Sequence, residues 1–265
     1  MDEAEPLPPT EDEATPAPTG KVYRHRLPTR LWHWLNAITI LIMMGSGIGI
    51  LNAHPRLYWG QYGANFDHAW LDLAPIRGFL RSGWVTIPGG YNLALSRRWH
   101  LLFALVLGFG LLAFMIASLI NRHFQRDLRI RAKEVGPRQL WADIRAHLRL
   151  DFHNPENPAA YNILQKLAYA LTIFGLIPAM LFSGLAMSPG MDAAWPWLID
   201  LFGGRQSARS VHFIAFAGLV VFLVVHLVLV LLAGPINEVW SMISGWWRLP
   251  EARPAEPALE PEAAE

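Results

Sequence analysis

Long apolar runs alternate with polar stretches along this chain. Four of the runs contain few charges, and each is close to the ~20 residues that a membrane-spanning helix requires. They are residues 32–51, 99–120, 164–187 and 210–233. The pattern predicts an all-α integral membrane protein in which four transmembrane helices form a bundle.

The charges between these runs indicate how the chain is oriented in the membrane. The connection between the second and third runs is rich in basic residues: Arg122, Arg126, Arg129, Arg131, Lys133, Arg138, Arg145 and Arg149. The connection between the third and fourth runs contains only Arg205 and Arg209. Because positive charges collect on the cytoplasmic side, this distribution predicts a multi-pass protein of the bacterial inner membrane with both termini in the cytoplasm.

Two polar segments flank the membrane domain. Residues 1–20 and 250–265 consist largely of proline, alanine and acidic residues, with too few large apolar side chains to form a core. The first of them also lacks the apolar stretch of a signal peptide. The composition predicts two disordered tails around a single membrane domain, residues 21–249.

Three connecting segments are more than simple turns. Residues 52–98 form a long connection with many aromatic side chains, which predicts an ordered outer loop that could dock a partner. Residues 138–152 and 236–249 mix large apolar and charged side chains at helical spacing. These two segments are predicted to be amphipathic helices in the membrane interface.

Composition narrows the chemistry that the membrane domain can carry. Apolar residues make up 53% of the 265 residues and charged residues only 16%, which is typical of a membrane protein. The chain has no cysteine, so disulfides, iron–sulfur clusters and covalently attached c-type haem are excluded. A net charge of +1 gives no reason to expect nucleic-acid binding. Any redox cofactor therefore depends on ligands other than thiolates.

Four histidines lie within or at the ends of the apolar runs: His33, His100, His212 and His226. Two of them share the fourth run at a spacing of 14 residues, which is about 21 Å along a helix and nearly the same helical face. His33 opens the first run at the cytoplasmic side, and His100 opens the second run at the outer side. Pairing by depth joins His33 to His226 and His100 to His212.

Histidine pairs at two depths indicate two cofactor sites. A single histidine near a helix end is more often structural or interfacial, but four that pair by depth are hard to obtain by chance in a membrane. Since two imidazoles on opposite sides of a porphyrin hold low-spin haem iron, the pairs predict an inner and an outer haem b. No chemistry is assigned to the six histidines of tails and loops: His25, His54, His68, His123, His147 and His153.

A glycine on the first run is a further candidate at the outer haem. Gly47 follows His33 by 14 residues, so it faces the same way at the outer level. A missing side chain there would let the porphyrin approach the helix, and ordinary packing of small residues between helices explains the glycine equally well.

Arginines precede the predicted ligands at both levels, where their charge would suit the propionates of haem. At the outer level these are Arg97, Arg98 and Arg209. At the cytoplasmic level they are Arg24, Arg26 and Arg30, whose presence the orientation of the chain also explains.

Motifs around these residues resemble a known family. They are Arg30-Leu-Trp-His33-Trp, Arg98-Trp-His100, the spaced histidine pair of the fourth run, and Tyr161-Asn162-Ile-Leu-Gln165-Lys166. Over about residues 22–246 the chain resembles the di-haem cytochrome b subunits of formate dehydrogenase, nickel–iron hydrogenase and thiosulfate reductase. The resemblance implies the same two haem pairings.

The resemblance also implies a quinone site and a partner. In this family a quinone lies near the inner haem, beside the asparagine of the last motif, which corresponds to Asn162. Its position before the third run by itself favours a helix N-cap. The outer loop, with residues 55–60 and 83–90, looks most like the thiosulfate-reductase-type branch, whose members resemble partners of molybdopterin oxidoreductases.

Together these features predict an electron-transfer subunit with no catalytic residue of its own. It would carry electrons between the membrane quinone pool and a periplasmic oxidoreductase of the molybdopterin type. The alternative is a stand-alone superoxide:quinone oxidoreductase on the same di-haem bundle, which has little use for a large aromatic loop. A transporter or purely structural membrane protein would require the four histidines to be coincidental.

Overall fold

The computed structural model describes residues 20–64, 66–122, 124, 128–131, 134–149 and 162–249. Both predicted disordered tails lie outside these residues, except for Gly20. The last residues of the predicted interfacial segment, 150–152, and Tyr161 of the family motif also lie outside them.

Four long helices form the body of the protein. They are α1 (Leu27–Leu51), α3 (Leu93–Ile120), α5 (Ile163–Ala186) and α8 (Arg205–Ala233). Each is long and apolar enough to cross a membrane, so the four helices predicted from the sequence are present. Helix α1 packs along α3, and α8 packs along α5.

Shorter elements connect these helices. Between α1 and α3 lie a 3-10 turn (Ala74–Ile76) and α2 (Arg77–Leu80). Helix α4 (Pro137–Leu148) precedes α5. Helices α6 (Pro189–Ala194) and α7 (Trp197–Leu201) precede α8, and α9 (Pro235–Ser244) follows α8. Helices α4 and α9 overlap the two segments, 138–152 and 236–249, that the sequence predicted to be amphipathic helices, and each begins one residue earlier.

The all-α prediction did not include two short antiparallel sheets. Strand β1 (Lys21–Tyr23) pairs with β4 (Trp246–Arg248), and β2 (Arg56–Leu57) pairs with β3 (Leu71–Asp72). The first sheet joins the two ends of the domain, so both lie at the same end of the bundle. Strands of two or three residues are too short to show a hydrophobic periodicity, and their partner strands are distant in sequence. Nothing in the local sequence therefore predicts them.

Helix α5 contains one π-helical turn, Thr172–Leu176. Pro178 follows this turn; it has no N–H for the carbonyl of Phe174, and its ring would collide with that carbonyl in a regular α-helix. The wider turn relieves the collision. The helix therefore continues to Ala186 in spite of its proline.

The outside of the bundle is apolar, and small hydroxyl residues lie inside it. The exposed faces carry large apolar side chains that are more than half accessible, including Leu105, Leu112, Val221 and Leu231. One serine on each spanning helix has no accessible surface: Ser46, Ser96, Ser183 and Ser210. Lipid tails suit such an exterior, and small residues let helices approach closely within a membrane.

The loop between α1 and α3 folds onto the start of α8. The indole Nε1 of Trp70 donates to Ser210 Oγ at 2.8 Å, and this hydroxyl donates to the Tyr58 carbonyl at 2.5 Å. Asn92 caps α3, its side chain accepting from Leu95 N, so the helix starts earlier than the predicted residue 99. The loop is therefore shorter than predicted, and it is held by α8.

Close approach of the loop explains the glycine that precedes α8. Gly204 has φ +116°, a conformation that favours glycine, and a Cβ built on it would lie 2.6 Å from Gln61 Oε1. The same Oε1 accepts a hydrogen bond from Arg205 N at 2.9 Å. Any side chain at position 204 would push the loop away from the helix.

Replacing Ser210 with alanine should loosen the loop and leave the bundle folded. The indole N–H of Trp70 and the carbonyl of Tyr58 would lose a partner, at about 1–3 kcal/mol for each group left unsatisfied. We expect faster proteolysis within residues 52–92 and a lower Tm. Ser118→Ala, which removes a buried hydroxyl from α3, is the matched control. Equal protease sensitivity of the two variants would contradict the role of Ser210.

Candidate functional site

Helix α8 contributes one histidine to each of two imidazole pairs. The ring of His212 faces that of His100 on α3, with ring centroids 6.2 Å apart and planes inclined by 63°. The ring of His226 faces that of His33 on α1, with centroids 6.3 Å apart and planes inclined by 59°. The structure thus brings together the same two pairs that the sequence predicted from depth.

The spacing within each pair suits a single metal ion between the two rings. A metal–imidazole bond is about 2 Å long, and the centre of an imidazole lies about 1.1 Å from its ring atoms. Two imidazoles that bind one ion from opposite sides therefore have centroids about 6 Å apart. Both pairs match this separation.

Two imidazoles alone do not complete a site for a bare metal ion. Within the described part of the chain, no group of three or more histidine, aspartate and glutamate side chains comes together. A metal held by either pair needs its remaining ligands from outside the protein. A porphyrin would supply such ligands, and the two histidines of each pair would hold its iron, so the pairs fit haem.

Each imidazole of the His100–His212 pair lies beside one serine and one glycine. Nδ1 of His100 lies 3.1 Å from Ser46 Oγ on α1, and Nδ1 of His212 lies 2.9 Å from Ser183 Oγ on α5. The residue after each serine is a glycine whose added Cβ would lie 3.3–3.4 Å from Cε1 of the same imidazole. Gly47, the predicted packing residue, is one of these two glycines, and its added Cβ would meet the His100 ring.

The second glycine and both serines were missed by reasoning from the sequence. Their signal is a Ser-Gly pair that occurs in the first and the third apolar runs, Ser46-Gly47 and Ser183-Gly184. Small residues are common in transmembrane helices for packing alone. Only the packing of α1 on α3 and of α5 on α8 shows that both pairs face a histidine.

Aromatic side chains surround the His33–His226 pair. The ring of Phe222 stacks on His226 with centroids 5.8 Å apart, and the indole of Trp34 meets His33 edge-on at 5.0 Å. Nδ1 of His33 is buried and has no hydrogen-bond partner among the described residues. Nδ1 of His33 therefore differs from the Nδ1 atoms of His100 and His212, each of which lies beside a serine hydroxyl.

Arg209 holds the loop against α8. Its Nη1 donates to the Arg56 carbonyl at 3.1 Å, and its Nη2 donates to the His54 carbonyl. Arg97 and Arg98 lie in the first turns of α3 with exposed side chains. The proposed contact of these three arginines with haem propionates stays a prediction.

Arg24 and Arg30, which precede or open α1, also have protein partners. Arg30 Nη1 donates to the Ser244 carbonyl at 2.7 Å, and Arg24 Nη1 lies 3.7 Å from the Glu238 carboxylate. Both contacts join the start of α1 to α9. Both arginines therefore help to hold α9 against this end of the bundle.

Asn162 caps helix α5. Its Oδ1 accepts from Gln165 N at 2.9 Å, and Gln165 Oε1 accepts from Asn162 N at 3.3 Å, which completes a capping box. The amide Nδ2 lies 3.3 Å from His147 Nε2, while His147 Nδ1 lies 2.8 Å from the Asp143 carbonyl. Since a carbonyl only accepts, Nδ1 carries the proton and Nε2 accepts from Asn162. The predicted cap is present, and its amide has a second contact to a histidine to which the sequence assigned no chemistry.

An ion pair lies beside this cap. Lys166 Nζ lies 3.0–3.1 Å from both carboxylate oxygens of Glu134. Burial alone would raise the pKa of Glu134, but the hydrogen bond from Lys166 holds that pKa below its ordinary value. The pair is therefore formed at neutral pH, and its contribution is lost as the pH falls through the lowered pKa.

Several named proteins are similar to this chain over most of its length. The probable Ni/Fe-hydrogenase B-type cytochrome subunit of Azotobacter vinelandii is 24% identical over 249 residues, which cover 88% of this chain and 91% of that protein. The subunit of the same name from Cupriavidus necator is 24% identical, with coverages of 84% and 86%. The putative protein-methionine-sulfoxide reductase subunit YedZ1 of Azospira oryzae is 28% identical, with coverages of 77% and 87%. No solved structure gives a significant match.

The family model described as prokaryotic cytochrome b561 matches residues 24–245. This range contains all four spanning helices and both histidine pairs, and it confirms the family resemblance found from the motifs. A b-type cytochrome holds its haem without covalent links to cysteine, in agreement with a chain that has none. The chain belongs to the prokaryotic cytochrome b561 family of membrane proteins, which carry haem b and transfer electrons.

Proposed function

We propose that this chain holds two haems b, one between His33 and His226 and one between His100 and His212. Through them it transfers electrons between the quinone pool and a periplasmic oxidoreductase, with a molybdopterin enzyme as the expected partner. One observation carries the proposal: two imidazole pairs with the spacing of a bis-histidine metal site share α8 at positions about 21 Å apart along its axis.

The protein's part in this function is to hold, separate and insulate two redox centres. Haem b, when bound, supplies a one-electron couple of iron. A cluster of buried apolar side chains from α3, α5 and α8 fills the bundle between the two histidines of α8: Leu107, Ile177, Met180, Ala215 and Leu219. Such a layer excludes water and fixes the distance between the centres, which the transfer of single electrons requires.

The proposed orientation of the protein in the membrane follows from the distribution of its positive charges. The bundle end at which β1 meets β4 carries Arg24, Arg26 and Arg30, and the arginine-rich connection before α5 belongs to the same end. The positive-inside rule makes this end cytoplasmic, as expected in a bacterial inner membrane. The His33–His226 pair then lies at the cytoplasmic side and the His100–His212 pair at the periplasmic side. Helices α4 and α9 would lie in the cytoplasmic interface.

The start of α5 is the proposed quinone site. Asn162 and His147 bring an amide and an imidazole together there, at the cytoplasmic level. Further along the same helix, the ring of Tyr169 contacts Phe222, which in turn stacks on His226. The second N–H of the Asn162 amide could donate to a quinone oxygen, and Asn162 caps the helix that packs beside the proposed inner haem.

The loop between α1 and α3 is the proposed docking surface for the oxidoreductase partner. It exposes large aromatic side chains: Trp59, Tyr62, Phe66, Phe79 and Trp84. Exposed apolar patches of this kind mark interaction surfaces, and aromatic residues are enriched in interfaces. Relatives named as subunits of a hydrogenase and of a reductase support a docking subunit over a stand-alone superoxide:quinone oxidoreductase.

Purified protein from haem-competent cells should contain two b-type haems per chain in a pyridine haemochrome assay. His100→Ala and His212→Ala should each lose one haem and keep the other, because each removes one axial ligand of the same site. His68→Ala, which changes an exposed loop histidine, should keep both. Retention of both haems in both ligand variants would contradict the pairing, and a wild-type protein without haem would contradict the function.

Asn162→Ser should separate the cap from the quinone role. Serine is as good an N-cap as asparagine but lacks the amide that contacts His147, so Tm should be unchanged. Loss of one hydrogen bond predicts a roughly 5–10-fold slower oxidation of the reduced haems by decylubiquinone or menadione. Asn162→Ala, which also removes the cap, should lower Tm as well. A wild-type rate in the serine variant would show that Asn162 acts only as a cap.

A further inference from the structure

Two serines on different helices meet the two imidazoles of one site in the same way. Ser46 of α1 contacts Nδ1 of His100, and Ser183 of α5 contacts Nδ1 of His212, at 3.1 and 2.9 Å. Both serines are completely buried. The contact is made twice, once on each ring of the pair, by two different helices.

The hydroxyl protons of these serines are already donated to main-chain carbonyls. Ser46 Oγ lies 2.6 Å from the Ile42 carbonyl, and Ser183 Oγ lies 2.5 Å from the Ala179 carbonyl, each four residues earlier in its own helix. A hydroxyl has a single proton, and a carbonyl oxygen can only accept, so each proton points to its carbonyl. Each serine oxygen therefore presents a lone pair to the imidazole, and each Nδ1 carries the hydrogen that is donated. Since Nδ1 is the donor in both histidines, Nε2 of each ring keeps the lone pair that can bind a metal.

Glycines fix the position of these rings from the side. A Cβ on Gly47 would lie 3.3 Å from Cε1 of His100, and a Cβ on Gly184 would lie 3.4 Å from Cε1 of His212. A side chain at either position would make a tight contact with the ring, which glycine avoids. Each Ser-Gly pair therefore acts as one cradle, the serine as acceptor and the glycine as space.

In the described part of the chain, no serine contacts an imidazole of the His33–His226 pair. Nδ1 of His33 is buried without a hydrogen-bond partner among the described residues. An acceptor on the N–H of a metal-binding histidine makes the imidazole a more basic ligand and fixes its orientation. The two sites therefore differ in the donor strength of their imidazole ligands, although each site consists of two histidines.

We propose that Ser46 and Ser183 are positioning residues that make the His100–His212 site more favourable for ferric than for ferrous iron. A more basic imidazole stabilises the higher charge of the oxidised metal, so the serines lower the reduction potential of this site. The inference rests on the proposed binding of haem by this pair. It assigns to the chain a device that sets the potential of one centre independently of the other.

The test is a redox titration of the purified full-length protein, followed by visible absorption. His100→Ala identifies the component that belongs to the His100–His212 site. At a fixed solution potential, Ser46→Ala and Ser183→Ala should each lower the ferric-to-ferrous ratio of that component by roughly 3-fold, and the double variant by roughly 9-fold. For a one-electron couple with 59 mV per tenfold change, 3-fold corresponds to an upward shift of about 28 mV.

Two controls distinguish a change in ligand strength from damage to the fold. The component of the His33–His226 site should titrate as in the wild type in every serine variant, and Ser118→Ala should change neither component. Ser46→Thr, which keeps a hydroxyl that can bond to the carbonyl four residues earlier, should restore the wild-type potential. If the alanine variants lose this haem, its retention in the threonine variant supports the role, and equal loss in both contradicts it.

The outcomes separate this inference from the proposed function. Two haems per chain with unchanged potentials in both alanine variants would overturn the role of the serines and leave the function intact. A wild-type protein without haem would overturn the proposed function itself.

Discussion

The structure depends on the burial of four imidazoles inside an apolar bundle at a fixed separation within each pair. A polar ring in hydrocarbon is unfavourable unless its nitrogens are satisfied, and one metal ion between the two rings of a pair would satisfy a nitrogen of each. Helix α8 meets this requirement by supplying one ring to each pair, while α1 and α3 each supply one ring opposite it. The packing of these helices, and the glycines and serines between them, follows from the need to hold the rings.

The two ends of the bundle are held by different means. At one end the sheet of β1 and β4, together with bonds from Arg30 and Trp34 to the end of α9, closes the chain around the start of α1. At the other end the loop between α1 and α3 is fastened to the first turns of α8 through Ser210 and Arg209. Helix α8 is thus fixed at both ends, which keeps its two histidines in register with their partners.

Much of this arrangement could be predicted from the sequence, because a bilayer imposes simple rules. Uninterrupted apolar runs predicted the four helices, and the depth of each histidine in the membrane predicted which histidine it would pair with. The cap at Asn162 was also predictable, since capping depends on a few adjacent residues. The short sheets and the early start of α3 were not, because they depend on chain segments that meet only after folding.

The sequence by itself determined the class of the protein, the number of spanning helices and the identity of the paired histidines, because these depend on composition, length and helical period. Only the tertiary structure decided what surrounds each pair. Ser46 and Ser183 contact the His100–His212 pair, whereas His33 Nδ1 has no acceptor among the residues that the structure describes. Arg209 points toward the loop between α1 and α3. Serine, glycine and arginine have ordinary uses throughout membrane helices, so their roles follow from which residue the neighbouring helix presents to them.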